Sequence, residues 1–202
     1  MKQLTCMCET VFDADLPEEI DLDATPGVMD SILKGDFLSV RCPSCGTLLK
    51  PDLRVRLSSA KAKLDIVVLP ELERMALYIG KAGIPEGAEA LVGFAELFER
   101  ARILADGLDP EAIEILKYLL LQKAEEQAPE AVILATYAGK KDGKLAFHIT
   151  GLKEGEVAVL PVDPSTYEKT LADKKKSLTE APFNQIFAGP YRSVRILESE
   201  ED

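Results

Sequence analysis

CMC at residues 6–8 and CPSCG at residues 42–46 hold all four cysteines of this 202-residue chain. The two close pairs near the N-terminus indicate that the four thiols share one centre. In a reducing compartment, paired cysteines are more often metal ligands or redox groups than structural disulfides. The sequence therefore predicts one Zn²⁺ ion per chain, bound by Cys6, Cys8, Cys42 and Cys45.

The second pair is the more diagnostic of the two. Two cysteines three positions apart in a tight turn can place both sulfurs on one ion, at about 2.3 Å for zinc. Pro43 fixes φ after the first cysteine of this pair, and Gly46 allows the chain to turn after the second. The Cys6–Cys8 pair is one residue shorter. We expect a tighter loop there.

Four thiolates would fill a tetrahedral site, which is typical of structural zinc, because catalytic zinc keeps an open position. Two alternatives remain at this point: a redox-active thiol centre and four buried free thiols. The single histidine, His148, falls opposite the apolar residues of a predicted strand. We expect a surface residue or one whose ring is satisfied by its neighbours, and not a general base.

The pattern of apolar residues predicts an α+β fold in three parts. Residues 1–70 are predicted as a zinc-ribbon-like β region that ends in a hairpin, since Leu53, Val55 and Leu57 alternate with arginines before the run 64–69. Residues 71–128 are predicted to be helical. Residues 129–202 are predicted as an α+β region with an acidic tail.

The helical part contains two predicted helices, 88–106 and 110–127. Gly107 and Asp109 are typical of a helix end and a new N-cap, so the pair should form a helical hairpin. Acidic side chains occupy positions outside the apolar stripe. We interpret them as a solvated face and not as paired catalytic carboxylates. They are Glu96, Glu99, Glu111 and Glu114.

The last part reads as a β-meander with one helix. Three strands are predicted at 131–138, 145–149 and 156–162, and Asp163-Pro164 marks the start of the helix. A final strand is predicted near 191–197. The acidic tail 198–202 is predicted to be disordered and solubilising.

The charge balance argues against nucleic acid as a partner. The chain carries 35 Asp+Glu against 24 Lys+Arg, a formal net charge of −11, whereas non-specific nucleic-acid binding relies on Lys and Arg. No apolar run approaches the roughly 18 residues of a membrane span, and the N-terminus has no apolar signal region. We expect a cytoplasmic protein that does not associate with membranes.

The chain from its start to about residue 120 resembles the CpXC domain of bacteria and archaea. The resemblance rests on the two cysteine pairs, the ILKG stretch at 32–35, the hairpin ending VVLP at 67–70, and GLD at 107–109 with IEILK at 113–117. It implies a small zinc-binding β-structure followed by helices, with no established biochemical activity. The first cysteine pair departs from the family because it lacks the Cys-Pro-x-Cys spacing.

The same ligand pattern is similar to the zinc switch of redox-regulated heat-shock chaperones. In that family four thiolates release zinc on oxidation, but the motif follows a large substrate-binding domain, whereas here it is N-terminal. We expect a non-enzymatic binding protein with a structural zinc site and a protein partner. The alternative is a thiol-redox sensor that uses the same four cysteines, and a hydrolase using the carboxylate-rich helices ranks below both.

Overall fold

The structure, a computed structural model, describes residues 1–126, 128, 129 and 131–200. Of residues 198–200 it describes the backbone alone. The chain divides into two compact units, residues 1–98 and 99–202. The boundary lies inside the region predicted to be helical, and the three-part division at 70 and 128 stays a prediction. Of the tail 198–202, predicted to be disordered, residues 198–200 form the end of a 3-10 helix, contrary to the prediction, whereas residues 201 and 202 lie outside the described residues.

The first unit contains eight strands. Its helices are α1 (Val28–Lys34), a 3-10 turn (Glu71–Glu73), α2 (Arg74–Tyr78) and the start of α3 (Gly93–Ala105). The strands are β1 (Lys2–Thr5), β2 (Val11–Ala14), β3 (Glu19–Asp21), β4 (Val40–Arg41), β5 (Leu48–Leu49), β6 (Val55–Ser59), β7 (Leu64–Leu69) and β8 (Glu89–Val92).

One four-stranded sheet forms the core of this unit, in the order β3-β6-β7-β8. The antiparallel β6–β7 hairpin confirms the prediction for this stretch, and β3 and β8 pair parallel at the two edges. Val55 and Leu57 are buried on β6, while Arg56 between them binds Asp65 through two hydrogen bonds of 2.8 and 2.7 Å. Four consecutive buried residues, 66–69, identify β7 as a central strand.

Two further antiparallel pairs, β1–β2 and β4–β5, stand apart from this sheet. Residues 6–10 connect β1 to β2, and residues 42–47 connect β4 to β5. Each cysteine pair therefore lies in the turn of a short β-hairpin.

The second unit contains the rest of α3, α4 (Pro110–Glu125), α5 (Pro164–Ser177), α6 (Phe183–Ile186) and a 3-10 helix (Val194–Glu200). Three antiparallel strands, β9 (Leu134–Lys141), β10 (Lys144–Thr150) and β11 (Val157–Val162), form the predicted meander in the order β11-β10-β9. Ile113 and Leu116 of α4 pack with Tyr137 and Phe147 of the sheet.

The helical hairpin is confirmed, with its caps as predicted. Gly107 takes a positive φ of 68°, and the Asp109 Oδ1 accepts a 2.9 Å hydrogen bond from the Ala112 N–H. The start of the first helix is wrong, because 89–92 forms strand β8 beside β7. A short apolar run such as Ala90-Leu91-Val92 fits either a helix or a buried strand. It forms a strand here because it pairs with the edge of β7 that β6 leaves open.

The predicted final strand near 191–197 is also wrong. The segment enters a 3-10 helix at Val194, which packs with Ile115, Phe183 and Ile186 instead of joining a sheet edge. Helix α6 lies in this same cluster. The sequence predicted one helix after the meander, whereas the described residues form two α-helices there, α5 and α6, and the 3-10 helix.

The interpretation of the acidic helix positions as a solvated face is wrong for Glu96, Glu99 and Glu114, which are all buried. Lys117, only 2% exposed, donates to the Glu114 Oε1 at 2.7 Å and to the Glu99 Oε2 at 3.2 Å. The remaining oxygens accept from backbone: Glu99 Oε1 from Tyr137 N at 2.6 Å, and Glu114 Oε2 from Val194 N at 2.9 Å.

This buried network ties the helices to the sheet and to the C-terminal segment of the second unit. Burial raises the pKa of Glu99, against the opposing charge of Lys117, and the Glu114 carboxylate adds to the rise. Every carboxylate oxygen of Glu99 and Glu114 already has a partner. The network therefore fits a structural role.

Candidate metal centre

The two cysteine turns are closed by matching backbone hydrogen bonds. In the first turn, Cys6 N donates to the Thr10 carbonyl and Glu9 N to the Cys6 carbonyl, both at 2.9 Å. In the second turn, Cys42 N donates to the Thr47 carbonyl at 2.9 Å, and Gly46 N donates to the Cys42 carbonyl at 3.0 Å. The second turn is one residue longer and reaches the same closure.

The four cysteine sulfur atoms form one compact cluster. Each Sγ lies within 4.8 Å of the others, and the pairs Cys6–Cys45 and Cys8–Cys42 are both 3.6 Å apart. A tetrahedron with metal–sulfur bonds of about 2.3 Å has sulfur–sulfur edges of roughly 3.8 Å. The four thiols are free, with no disulfide among them, so the donor set fits one metal ion.

The predicted ligands are thus brought together without exception. Among the described His, Cys, Asp and Glu side chains, these four cysteines are close enough to share a metal ion. His148 is exposed on β10, which is one of the two alternatives that the sequence left open. Glu9, next to Cys8, is exposed as well.

Burial alternates between the two cysteines of each pair. Cys6 and Cys42 are 3% and 2% exposed, whereas Cys8 and Cys45 face solvent. Cys6 and Cys42, the inner cysteines, are packed into the unit. Cys8 and Cys45, the outer cysteines, are exposed to water and to reagents.

Two threonines support the outer cysteines, and the sequence analysis missed both. The Thr10 Oγ1 lies 3.3 Å from the Cys8 Sγ, and the Thr47 Oγ1 lies 3.2 Å from the Cys45 Sγ. Each threonine stands two positions after the second cysteine of its pair. That repeated spacing was the available signal.

The threonines also bias ionisation. The Thr10 hydroxyl, followed by its N–H, lowers the pKa of Cys8 to about 6, and Thr47 lowers the pKa of Cys45 in the same way. At Cys6 the Cys8 N–H favours the thiolate, but burial and the neighbouring sulfurs raise the pKa to about 12. The thiolate is the form that binds metals. A bound cation would favour it at all four positions.

A family model described as CpXC protein matches residues 4–117, which include both cysteine turns and more than half of the chain. The chain belongs to the CpXC family. The match begins just before the first cysteine turn of this CpXC chain and ends at Lys117 in α4. It confirms the resemblance drawn from the motifs.

The CpXC chain is also 28% identical to an uncharacterised protein of Treponema pallidum (strain Nichols). That alignment covers 96% of this chain and 97% of the relative, so it extends beyond the family match, which ends at residue 117, into the rest of the second unit. No solved structure matches the chain. No helix in the described residues of this CpXC chain is long and apolar enough to cross a membrane.

Proposed function

We propose that this protein is a non-catalytic interaction module of the cytoplasm whose N-terminal unit is organised by one structural Zn²⁺. The observation that carries the proposal is the convergence of the sulfurs of Cys6, Cys8, Cys42 and Cys45 on one point. An all-sulfur tetrahedral donor set is typical of zinc or iron–sulfur centres. Free thiols are the usual state of cysteines in a reducing compartment.

A structural role is favoured because the chain itself supplies four ligands. No coordination position would remain for water or substrate, whereas catalytic zinc has three protein ligands and an open site. The short hairpins around the centre, with strands of two to four residues, would gain most of their stability from a shared metal.

An interaction role is supported by apolar side chains beside the cysteine turns. Met7 is 96% exposed, and Val11 and Leu48 are also exposed. Apolar surface of this kind often marks protein–protein contact sites.

The metal content of protein purified without added metal tests this proposal. Structural zinc is bound with roughly 10–16 kcal/mol of apparent free energy in small fingers, so it should survive purification. We expect one zinc per chain by elemental analysis. Absence of stoichiometric metal together with four titratable thiols would overturn the proposal, and stoichiometric iron would replace zinc in it.

A thiol-redox sensor is the second candidate, and the exposure of Cys8 and Cys45 favours it. In the sensing reaction, hydrogen peroxide would oxidise two zinc-bound thiolates to one disulfide. The peroxide would take up two protons and be reduced to two water molecules. Loss of two thiolate ligands would release the Zn²⁺. A chromogenic zinc chelator follows that release.

We expect slow zinc release in mild peroxide and no gain of chaperone-like holding activity. Zinc release within minutes, reversed by a thiol reductant and accompanied by suppressed aggregation of an unfolded client, would establish the sensor in place of the structural role.

A further inference from the structure

An apolar cavity of about 270 Å³ lies in the first unit between α1 and the start of α3. The rings of Phe37 and Phe94 meet edge to face along its wall, with centroids 6.0 Å apart. Ile32 and Leu97, which are both buried, also line it. We call this space the Phe37 cavity.

A second cavity, of about 330 Å³, lies beside the cysteine turns. Its apolar lining comes from β1, β5 and the residues that follow them, chiefly Leu4, Met7, Leu48 and Pro51. Met7 stands at its rim almost fully exposed. We call this space the Met7 cavity.

Lys50 lines both cavities. Its side chain is exposed, and within the described part of the chain it makes no hydrogen bond or ion pair. A Cβ placed on Gly35 would lie 3.9 Å from the Lys50 Nζ, so the ammonium group stands at the wall of the Phe37 cavity. One uncompensated cation thus separates two apolar depressions.

We propose that this surface binds an extended peptide segment of a partner protein in which one acidic residue is flanked by apolar residues. The carboxylate would pair with Lys50, and the neighbouring side chains would enter the Phe37 and Met7 cavities. The inference rests on the proposed interaction role and names the partner's chemistry.

The sizes and the charge agree with this occupant. A space of about 270 Å³ holds roughly nine groups of water size at about 30 Å³ each, which suits one leucine or phenylalanine side chain with adjoining backbone. Methionine adapts to different apolar partners because its side chain is flexible and polarisable, which fits Met7 at the rim. Lys50 favours an anionic partner, since it is the only Lys, Arg, Asp or Glu on the lining of either cavity. The Cys6 sulfur also borders the Met7 cavity, but that residue is buried.

A matched peptide set tests the proposal. The probes are fluorescein-labelled peptides Gly-Gly-a-Asp-b-Gly-Gly, in which a and b are each Leu, Phe or Met, with partner sets carrying Asn or Lys in place of Asp. Fluorescence anisotropy on zinc-loaded wild-type protein should show about threefold to fivefold tighter binding of the best Asp peptide than of its Asn partner, as expected for an exposed ion pair.

Two variants locate the site. Lys50→Glu should reverse the preference toward the Lys peptides, while Lys81→Glu, an exposed lysine of the same unit that lines neither cavity, should leave the Asp preference intact. Ala95→Phe fills the Phe37 cavity from an exposed helix position. It should weaken binding about tenfold.

Zinc content measured on the same samples distinguishes failure of the peptide site from failure of the proposed zinc centre. A zinc-loaded protein that binds no Asp peptide better than its Asn partner would overturn the peptide site and leave the structural zinc intact. An unchanged Asp preference in Lys50→Glu, or full affinity in Ala95→Phe, would overturn it equally. A protein without zinc would contradict the proposed function itself.

Discussion

The turn at residues 6–10 and the turn at residues 42–47 hold equivalent pairs of sulfur atoms, although the second has one more residue between its cysteines. The second turn contains Pro43 and Gly46. The first has no proline, and the position that corresponds to Gly46 is occupied by Glu9. Both residues have a positive φ, 67° for Glu9 and 75° for Gly46.

This difference means that the first turn carries a conformational cost that the second turn avoids. A left-handed conformation costs a residue with a side chain roughly 1–2 kcal/mol, and glycine escapes that cost. The second turn therefore adopts its shape without strain. We therefore expect the first turn to depend more on a shared metal and on the hydrogen bonds of Thr10, and to be the weaker half of the centre.

Loss of one ligand should have the largest effect. Cys42→Ser removes a quarter of the donor set, and we expect zinc affinity to fall by about a hundredfold to a thousandfold. The first unit should become open to protease, while residues 130–202 stay folded on the core around Phe147. Limited proteolysis with mass mapping measures this, and uniform degradation of the whole chain would contradict it.

Cys8→Ser is the matched control for that experiment. It removes the same donor from the other turn, but at an exposed position. Zinc should be lost to a similar extent, whereas proteolysis of the metal-free first unit should be slower than in Cys42→Ser because no buried side chain is disturbed. Equal proteolysis rates would show that burial of the inner cysteines contributes nothing.

Removal of the supporting hydroxyls should come next in size. Thr10→Val and Thr47→Val keep the side-chain shape and delete the oxygen beside the outer sulfur. Partners of metal ligands typically contribute tenfold to a hundredfold in affinity, and we expect about tenfold for each variant, with the larger loss at Thr10. Competition with a zinc chelator measures both, and unchanged affinity would remove the threonines from the site.

Exchange at the left-handed positions should give effects of opposite sign on stability. Gly46→Ala should destabilise zinc-loaded protein by about 1–2 kcal/mol. Its added Cβ would meet no atom within 4 Å, so the cost is conformational. Glu9→Gly should stabilise by about 1 kcal/mol or less, since glycine also loses more entropy on folding. Denaturant unfolding tests the pair, and a loss of stability in Glu9→Gly would contradict the strain.

The order of thiol modification is the smallest and most local test. In zinc-loaded protein Cys8 and Cys45 should react with iodoacetamide before Cys6 and Cys42, because only the outer sulfurs are exposed. Mass mapping of partially alkylated protein gives the order. Modification of Cys6 first would mean that the first turn opens as a unit.

The clustering of the four cysteines could be predicted from sequence because cysteines are chemically distinctive and lie here in two compact motifs. The hairpin β6–β7 and the helical pair followed from periodicity and from caps such as Gly107 and Asp109, which act locally. Strand β8 was missed because its pairing with β7 is a tertiary choice. A short apolar run carries no information about which neighbour it will find.

The buried ion network shows a second limit. Glu99 and Glu114 looked like surface residues, as isolated acidic positions on helices usually are. Lys117 lies one position after Leu116 in the buried sequence of α4, and a lysine at the edge of an apolar stripe was the signal that its carboxylate partners are buried with it. Their backbone partners, Tyr137 and Val194, are distant in sequence and could not be derived from it.

X-ray absorption at the zinc edge of protein purified without added metal tests the central claim most directly. Four thiolates from the two turns predict a first coordination shell of four sulfur atoms at about 2.3 Å and no nitrogen or oxygen ligand. A shell with three or fewer sulfurs completed by nitrogen or oxygen, or the absence of a zinc signal, would contradict a closed four-cysteine site.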